Sequence, residues 1–188
     1  MDEVLLARHG ESEASAAGVV GGDSPLTAAG RSRATLLGAG SASFPVDVCL
    51  TSGARRACET AEIALAGRSV RIEVLHDLGD VQFGTFDGRP LDEYREWVGA
   101  HPPSDAAPEG ESRAETLRRF ARAFRAVLAR PERHVFVVAH GLTIRAVLDE
   151  RAQPVVAGAP YGDSVRLTRV QLQAAVERLE CWCEDPSW

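Results

Sequence analysis

The sequence predicts an α/β fold, a three-layer sandwich in which a mostly parallel central sheet is flanked by helices. Short apolar runs of strand length alternate along the chain with longer segments of helical periodicity, and this alternation is typical of parallel sheets. The length of 188 residues, with 45% hydrophobic and 26% charged residues, suits one globular domain. We therefore expect residues 1–188 to form a single domain.

Apolar segments at residues 4–7, 46–50 and 135–139, and the alternation of Val70, Ile72 and Val74 within residues 70–75, predict four strands of this sheet. The run Val135-Phe136-Val137-Val138-Ala139 is the strongest signal, because an uninterrupted apolar run of this length indicates a buried strand. Two further strand-like stretches, near residues 165–172 and 176–181, are expected to complete the sheet.

Helix signals lie between the predicted strands, in segments 24–38, 51–66, 112–130 and 143–151. Ser112 and Glu115 form a capping box at the start of the third segment, and Thr51-Ser52 is the predicted cap of the second. The small, Gly-rich residues 12–23 predict a loop, and residues 76–110 are expected to be mostly irregular.

The charged residues exclude several classes of function. The net charge is −6, and all 21 basic residues are arginine. Without lysine, the chain has no Schiff-base lysine and no Walker-type lysine. Any phosphate site must be built from arginine, whose guanidinium suits bidentate binding of anions. The acidic balance and the lack of a dense basic stripe argue against a nucleic-acid partner.

The sequence carries no signal for a membrane or an oxidising compartment. No apolar run approaches the roughly 18 residues that a membrane span requires, so no membrane partner is expected. The acidic start and the short apolar run behind it do not fit a signal peptide. The four cysteines form neither a disulfide framework nor a zinc-ligand pattern. We therefore expect a soluble cytoplasmic protein.

Two predicted strands end in the same way, with a histidine followed by glycine. Ala7-Arg8-His9-Gly10 ends the first strand, and Val138-Ala139-His140-Gly141 ends the fourth. Ligands bind outside the carboxyl ends of the strands in open parallel sheets, so both histidines are candidate site residues. The glycine after each histidine would let the backbone approach a ligand closely.

The second strand is followed by Thr51-Ser52-Gly53-Ala54-Arg55-Arg56, at the start of a predicted helix. A helix N-terminus next to arginine favours an anion. Spacing alone allows either arginine to face the site. We favour Arg56 and expect Arg55 on the solvated face of the helix.

These residues belong to an ordered series of blocks that resembles one enzyme family. Arg8-His9-Gly10-Glu11-Ser12 resembles the signature of the histidine phosphatase superfamily, which includes cofactor-dependent phosphoglycerate mutase. The blocks that follow are residues 23–30, 51–62, 78–88, 110–112 and 138–141. The resemblance covers most of the chain in the correct order, and it implies a phosphoglycerate mutase-like fold.

The resemblance also implies roles for the site residues. His9 would attack phosphorus and carry a phosphohistidine intermediate, which suits an imidazole that is largely neutral near pH 7. Arg8, Arg56 and His140 would hold the phosphoryl oxygens and the charge that develops on them. No metal and no other cofactor is implied, since the arginines supply the positive charge.

The general acid departs from the usual pattern of the family, which has Glu where this sequence has Asp80. Aspartate is one methylene shorter, whereas proton donation needs heavy atoms about 2.6–3.2 Å apart or one bridging water. We assign the role to Asp80 and keep Asp77, Asp87 and Glu109 as alternatives.

Two further phosphate-binding candidates are Ser15 and Gly141. Many family members have Asn where Ser15 stands, and a serine hydroxyl donates a similar hydrogen bond over a shorter reach. Gly141 would contribute its backbone.

We expect a metal-independent phosphomonoesterase that hydrolyses a small phosphorylated metabolite through a phosphohistidine on His9. Phosphoglycerate mutase-type transfer is the alternative, but the mutases carry a longer, lysine-containing insert where this chain has residues 81–84. A catalytically weak member that only binds a phosphorylated ligand is a third possibility. A zinc hydrolase is disfavoured, because neither site histidine has a second ligand at regular spacing. A homodimer is left open, and the leaving group is expected to contact residues 13–24 and 86–112.

Overall fold

The computed structural model describes residues 1–148 and 160–184. Its five-stranded sheet consists of β1 (Glu3–Arg8), β2 (Val48–Thr51), β3 (Arg71–Val74), β4 (His134–Ala139) and β5 (Ser164–Thr168). The strand order is β3-β2-β4-β1-β5. β1, β2, β3 and β4 run parallel to one another, and β5 is antiparallel to β1. The predicted α/β class with a mostly parallel sheet is confirmed.

The described helices are α1 (Glu13–Ala16), α2 (Ala28–Gly40), α3 (Arg55–Ala64), α4 (Leu91–Ala100), α5 (Arg113–Leu128), α6 (Gly141–Leu148) and α7 (Arg169–Glu184). Short 3₁₀ turns lie at His76–Leu78 and Gly84–Phe86. Within the described ranges, none of these helices has the length and hydropathy to cross a membrane.

The central strands are buried on both faces, which explains their uninterrupted apolar runs. Val4 and Leu6 of β1 join the core that contains residues of α5, α6 and α7, whereas Leu5 and Ala7 join the core that contains residues of α2 and α3. Side chains alternate between the two faces of a strand, so an apolar residue is needed at every position. The helices therefore form a layer on each side of the sheet.

The predicted strand at residues 176–181 is wrong, because this segment belongs to α7. The buried residues of α7 recur every three or four positions, which is the helical period: Leu172, Ala175, Val176, Leu179, Trp182 and Cys183. Within 176–181 the apolar residues Val176 and Leu179 are three positions apart, separated by charged residues, and the neighbours on both sides continue this helical spacing. The predicted end of the preceding helix, near residue 151, lies outside the described residues.

Three other segments differ locally from prediction. The segment expected to be mostly irregular contains α4, and the Gly-rich loop contains the short helix α1. The helix expected to be capped by Thr51-Ser52 begins later, at Arg55, with Ala54 as an N-cap that makes no side-chain hydrogen bond. By contrast, Ser112 and Glu115 form the predicted capping box of α5.

Candidate active site

The two His-Gly strand ends lie side by side. β1 and β4 are adjacent and parallel with Arg8 paired to Ala139, so His9 and His140 leave the sheet at the same edge. Their ring centroids are 5.1 Å apart. The register of the parallel sheet therefore brings the two predicted histidines together.

The glycines after these histidines contact protein groups at short range. A Cβ on Gly10 would lie 2.5 Å from the carbonyl oxygen of Gly30 in α2. A Cβ on Gly141 would lie 3.3 Å from the guanidinium carbon of Arg8. Gly10 is thus required by backbone packing against α2, and Gly141 leaves space for an arginine of the site.

His9 is buried and has a defined tautomer. Its Nδ1 is 2.6 Å from the carbonyl oxygen of Gly10, which only accepts hydrogen bonds, so Nδ1 carries the proton. Its Nε2 accepts a hydrogen bond from Nε of Arg56 at 3.3 Å. Burial, followed by the positive charges of His140 and Arg56, holds the pKa of His9 well below its usual value of 6.5. The ring is therefore neutral at pH 7, with a lone pair on Nε2.

Arg56, at the first turn of α3, connects the two histidines. Its Nη2 lies 3.3 Å from Nδ1 of His140 and 3.3 Å from Oδ2 of Asp80. Its Nη1 donates to the carbonyl oxygen of Gly22 at 2.9 Å. The side chain is buried, whereas that of Arg55 is 56% exposed and pairs with Glu59 on the same helix. The structure therefore brings Arg56, and not Arg55, to the two histidines.

His140 is fully buried and is held from the opposite side of its ring. Its Nε2 is 2.9 Å from the hydroxyl of Ser52, and its Nδ1 lies 3.5 Å from Oδ2 of Asp80. Burial, then the charge of Arg56, holds the pKa of His140 well below 6.5. Ser52, predicted as a helix cap, therefore orients a histidine.

Arg8 lies against Tyr161, with its guanidinium carbon 3.8 Å from the ring centroid. Burial lowers the pKa of Arg8, and the nearby Tyr161 and Asp80 oppose this shift. Tyr161 also lies beside His9, at a ring-centroid distance of 5.8 Å. No motif pointed to Tyr161, because it reaches the site only through the antiparallel return of the chain before β5.

Asp80 is held in place by a buried ion pair. Arg119 on α5 pairs with Glu111, and it donates to the carbonyl oxygens of Gly79 at 2.7 Å and Asp80 at 2.9 Å. Glu111 accepts from the backbone N–H of Gln82 at 3.0 Å. The pair therefore fixes the backbone on both sides of Asp80. The only sequence signal for Arg119 was a charge beside the apolar face of a helix.

A cavity of about 880 Å³ opens at this edge of the sheet. Among the described residues that line it are all the predicted site residues except His140, which lies directly behind Arg56: Arg8, His9, Ser15, Arg56, Asp80 and Gly141. Asp80 is the one carboxylate among the described lining residues, so the alternatives Asp77, Asp87 and Glu109 face elsewhere. We call Arg8, His9, Arg56, Asp80 and His140 the inner site.

Ser15 reaches the cavity from α1, and its hydroxyl is already engaged. Its Oγ lies 2.8 Å from Oγ of Ser12, the N-cap of that helix. Either hydroxyl can donate in this pair. A ligand at Ser15 therefore needs only a rotation of the two hydroxyl hydrogens, because Ser12 can take over as the donor between them.

The donor set of the inner site is suited to an anion. Two arginines and two neutral histidines surround one carboxylate, and the guanidinium of Arg56 touches a ring nitrogen of each histidine. Within residues 1–148 and 160–184, no group of three His, Cys, Asp or Glu side chains is placed to hold a metal ion.

The parallel sheet with two histidines and two arginines at one edge is the arrangement that the motif blocks predicted. Comparison with known families identifies the class of protein to which it belongs. The profile of the histidine phosphatase superfamily (branch 1) matches residues 4–184. The chain belongs to this superfamily, which confirms the resemblance drawn from the motif blocks. The predicted enzyme class, a phosphatase, is supported by the family and by the names of the relatives that follow.

Two curated bacterial proteins illustrate the relationship. "Uncharacterized phosphatase PhoE" of Bacillus subtilis is 31% identical over 185 residues, which is 97% of this chain and 92% of that protein. "Probable phosphoglycerate mutase GpmB" of Proteus mirabilis is 31% identical over 160 residues, or 79% of this chain and 74% of that protein. The solved structure of Bacillus stearothermophilus YhfR is 27% identical, with a TM-score of 0.73 over 87% of this chain and 89% of that one.

Proposed function

We propose that this protein is a metal-independent phosphomonoesterase that hydrolyses a small phosphorylated metabolite through a phosphohistidine on His9. The observation that carries the proposal is the state of His9: a buried, neutral imidazole, anchored through Nδ1, with Nε2 beside a guanidinium at an open cavity. Such a nitrogen is nucleophilic, and the arginine next to it attracts the phosphoryl group.

In the first step, Nε2 of His9 attacks phosphorus, and the bond from phosphorus to the ester oxygen breaks. Asp80 gives its proton to that leaving oxygen, and the alcohol departs. In the second step, water attacks the phosphohistidine, the N–P bond breaks, and Asp80 takes the proton of the water. The products are an alcohol and inorganic phosphate, and the enzyme returns to its starting state.

The remaining groups would bind the phosphoryl oxygens. Arg8 and Arg56 carry the positive charge that stabilises the equatorial oxygens as the bond to phosphorus changes. Nδ1 of His140 faces the site and accepts from Nη2 of Arg56 in this structure. Once Arg56 binds the phosphoryl oxygens, the ring would carry its proton on Nδ1 and donate it to them, with Ser52 donating to Nε2. Ser15 and the backbone N–H of Gly141 border the same space and would complete the set.

A divalent metal does not fit between the two histidines. The guanidinium of Arg56 lies within 3.3 Å of a ring nitrogen of each histidine, so its charge stands where a bridging cation would bind. Arg8 adds a second positive charge at the same edge. The reaction we propose therefore relies on arginine for the charge stabilisation that a metal gives other phosphatases.

Hydrolysis is favoured over transfer between substrates. The chain has no lysine for a mutase-type insert, and one relative of nearly full length is named a phosphatase. Another relative is named a phosphoglycerate mutase, so transfer is the second candidate. We also propose that residues 1–188 form one domain, since the family match extends from residue 4 to residue 184.

The proposal is tested by hydrolysis of an activated aryl phosphate in EDTA, with His9→Ala protein as the blank. We expect turnover by the wild type alone, and an acid-labile phosphoprotein when the reaction is quenched in base. Turnover with no phosphoprotein, or with equal activity in the variant, would overturn the phosphohistidine route. Inorganic phosphate released in the presence of 3-phosphoglycerate distinguishes hydrolysis from transfer.

A further inference from the structure

The cavity is much larger than a phosphoryl group, and its outer part is built by two helices. Leu91, Tyr94, Arg95, Val98 and Gly99 of α4 line it, and so do Gly141, Leu142, Arg145 and Ala146 of α6. In each helix these positions are one, three or four residues apart, so each helix turns one face to the cavity. A volume of about 880 Å³ is large enough to take a whole small-molecule ligand.

One wall of the cavity is apolar. Tyr94 packs edge-on against Phe83, at a ring-centroid distance of 4.8 Å, and both residues line the cavity. Val20, Val81, Leu91, Val98 and Leu142 belong to the same hydrophobic cluster and also line it. This wall suits an aromatic or alicyclic body in the leaving group better than a polyhydroxylated one.

The charge lining the cavity exceeds what one phosphoryl group requires. The described lining residues include five arginines but only one carboxylate, Asp80, in a protein whose net charge is −6. Arg8 and Arg56 belong to the inner site. The other three are Arg95, Arg113 and Arg145, which we call the outer arginines.

The three outer arginines differ in the hydrogen-bond and ion-pair partners of their guanidinium groups. Arg95 pairs with Asp92 at 3.0 Å on the same helix. Arg113 donates to the carbonyl oxygen of His101 at 2.6 Å, and burial lowers its pKa. Arg145 is half-buried on α6 and makes no hydrogen bond or ion pair with residues 1–148 or 160–184. A partly desolvated guanidinium at a cavity wall is favoured when an anionic ligand reaches it.

We infer that the natural substrate is a phosphomonoester whose alcohol part has an apolar, ring-sized body and a second anionic group, which binds Arg145. The inference rests on the proposed function, because it takes the inner site as the place of the phosphoryl group. The second anion would then bind one turn further along α6 than Gly141, which borders the phosphoryl site, with the ring against the wall formed by α4.

A matched pair of substrates isolates the second charge. In 4-(carboxymethyl)phenyl phosphate and 4-(carbamoylmethyl)phenyl phosphate, a methylene separates the charged or neutral group from the ring. The two phenols therefore leave with nearly equal ease. We expect wild-type kcat/KM to be about fivefold higher for the carboxylate, the size of a partly exposed charge-assisted contact, and to lose this preference in high salt.

Substitutions of Arg145 then test whether its guanidinium binds the carboxylate of the substrate. Arg145→Gln should abolish the preference for the carboxylate, and Arg145→Lys should restore part of it, because lysine keeps the charge but not the planar fork. Arg133→Gln is the control: it removes the same charge from an exposed position beside the amino end of β4, opposite the site, and both esters should react as in the wild type. Equal turnover of the two esters by the wild type, or an equal loss for both in Arg145→Gln, would overturn the inference.

Binding separates this inference from the proposed function. Calorimetric titration of both esters into His9→Ala protein measures the preference without turnover. Tighter binding of the carboxylate, removed by the added Arg145→Gln change, would support the second-anion contact even if no ester were hydrolysed. Turnover without any such preference would leave the phosphatase proposal standing and refute the substrate class.

Discussion

His9 and His140 stand in nearly the same sequence context, yet they present opposite ring nitrogens to the site. His9 is anchored through Nδ1 by the carbonyl oxygen of Gly10, and its Nε2 faces Arg56. His140 is anchored through Nε2 by Ser52, and its Nδ1 faces Arg56. The difference arises from the partner behind each ring, which the strand and its His-Gly ending do not specify.

This comparison shows how one motif serves two roles. A backbone carbonyl can only accept, so it fixes His9 as the Nδ1–H tautomer with a free electron pair on Nε2. A hydroxyl can donate or accept, so Ser52 suits both tautomers of His140. Nδ1 accepts from Arg56 in this structure, and it would carry the proton and donate it when a phosphoryl group takes over the contact with Arg56. The nucleophile is fixed in one tautomer, whereas its partner is free to act as a donor.

The largest expected effect is that of removing the nucleophile. His9→Ala should lower kcat for every phosphomonoester by at least ~10⁴-fold, because it removes the nitrogen that we propose to form the N–P bond. Rapid-quench measurement of phosphoenzyme on both proteins checks this. Phosphoenzyme retained in the variant would show that the two histidines had been assigned in the wrong order.

Oδ2 of Asp80 lies 3.5 Å from Nδ1 of His140. Substitution of Asp80 tests whether this carboxyl group is the proton donor. Asp80→Asn should slow hydrolysis of an alkyl phosphate by about 10²-fold or more and that of an activated aryl phosphate much less, since a good leaving group needs little protonation. Asp77→Asn is the control, because Asp77 faces Arg122 and not the cavity. Equal losses on both substrates would remove Asp80 from the donor role.

The anchor of His140 can be removed by substitution, whereas that of His9 cannot. Ser52→Ala leaves Nε2 of His140 without its hydroxyl partner, and kcat should fall by about tenfold as the ring loses its orientation. Ser52→Thr keeps the hydroxyl and should recover most of the rate. Ser41→Ala, at an equally buried serine that ends α2, should change the stability but not kcat. A rate unchanged by Ser52→Ala would show that packing alone orients His140.

The smallest expected effect is on the free energy of unfolding, to which the lowered pKa values of His9 and His140 contribute with the same sign. Each has a folded-state pKa well below 6.5, so the unfolded chain binds more protons once the pH falls below that value. The free energy of unfolding should therefore decrease on acidification below pH 6.5, by up to ~1.4 kcal/mol per pH unit for each histidine.

Urea unfolding at several pH values measures this slope. His140→Gln should make the slope shallower, and His76→Gln, at an exposed position, should leave it unchanged. A wild-type stability that does not change between pH 7 and pH 5 would show that the two rings are not held neutral in the folded protein.

Much of the fold could be predicted because its signals are local. Residues 135–139 of β4 are apolar at every position since both faces are buried, and the capping box at Ser112 marks the start of α5 within one residue. The prediction of a strand at 176–181 is wrong because a six-residue window holds too few apolar positions to separate the helical period from that of a strand. Helix α4 is hard to predict because Tyr94 is its one buried residue and its apolar side chains pack on a small cluster beside the cavity, away from the sheet.

The sequence by itself determined the reactive groups: two His-Gly strand ends, the arginine pair Arg55-Arg56 near the start of a helix, and a carboxylate at position 80. Only the tertiary structure decided which nitrogen of each histidine faces the site, that Arg56 lies between them, and that Glu111 and Arg119 hold Asp80. It also placed Tyr161 and Arg145 at the same cavity. The reason is physical: residue types and strand ends are local properties, whereas hydrogen-bond partners far apart in the chain are set by how sheet and helices pack.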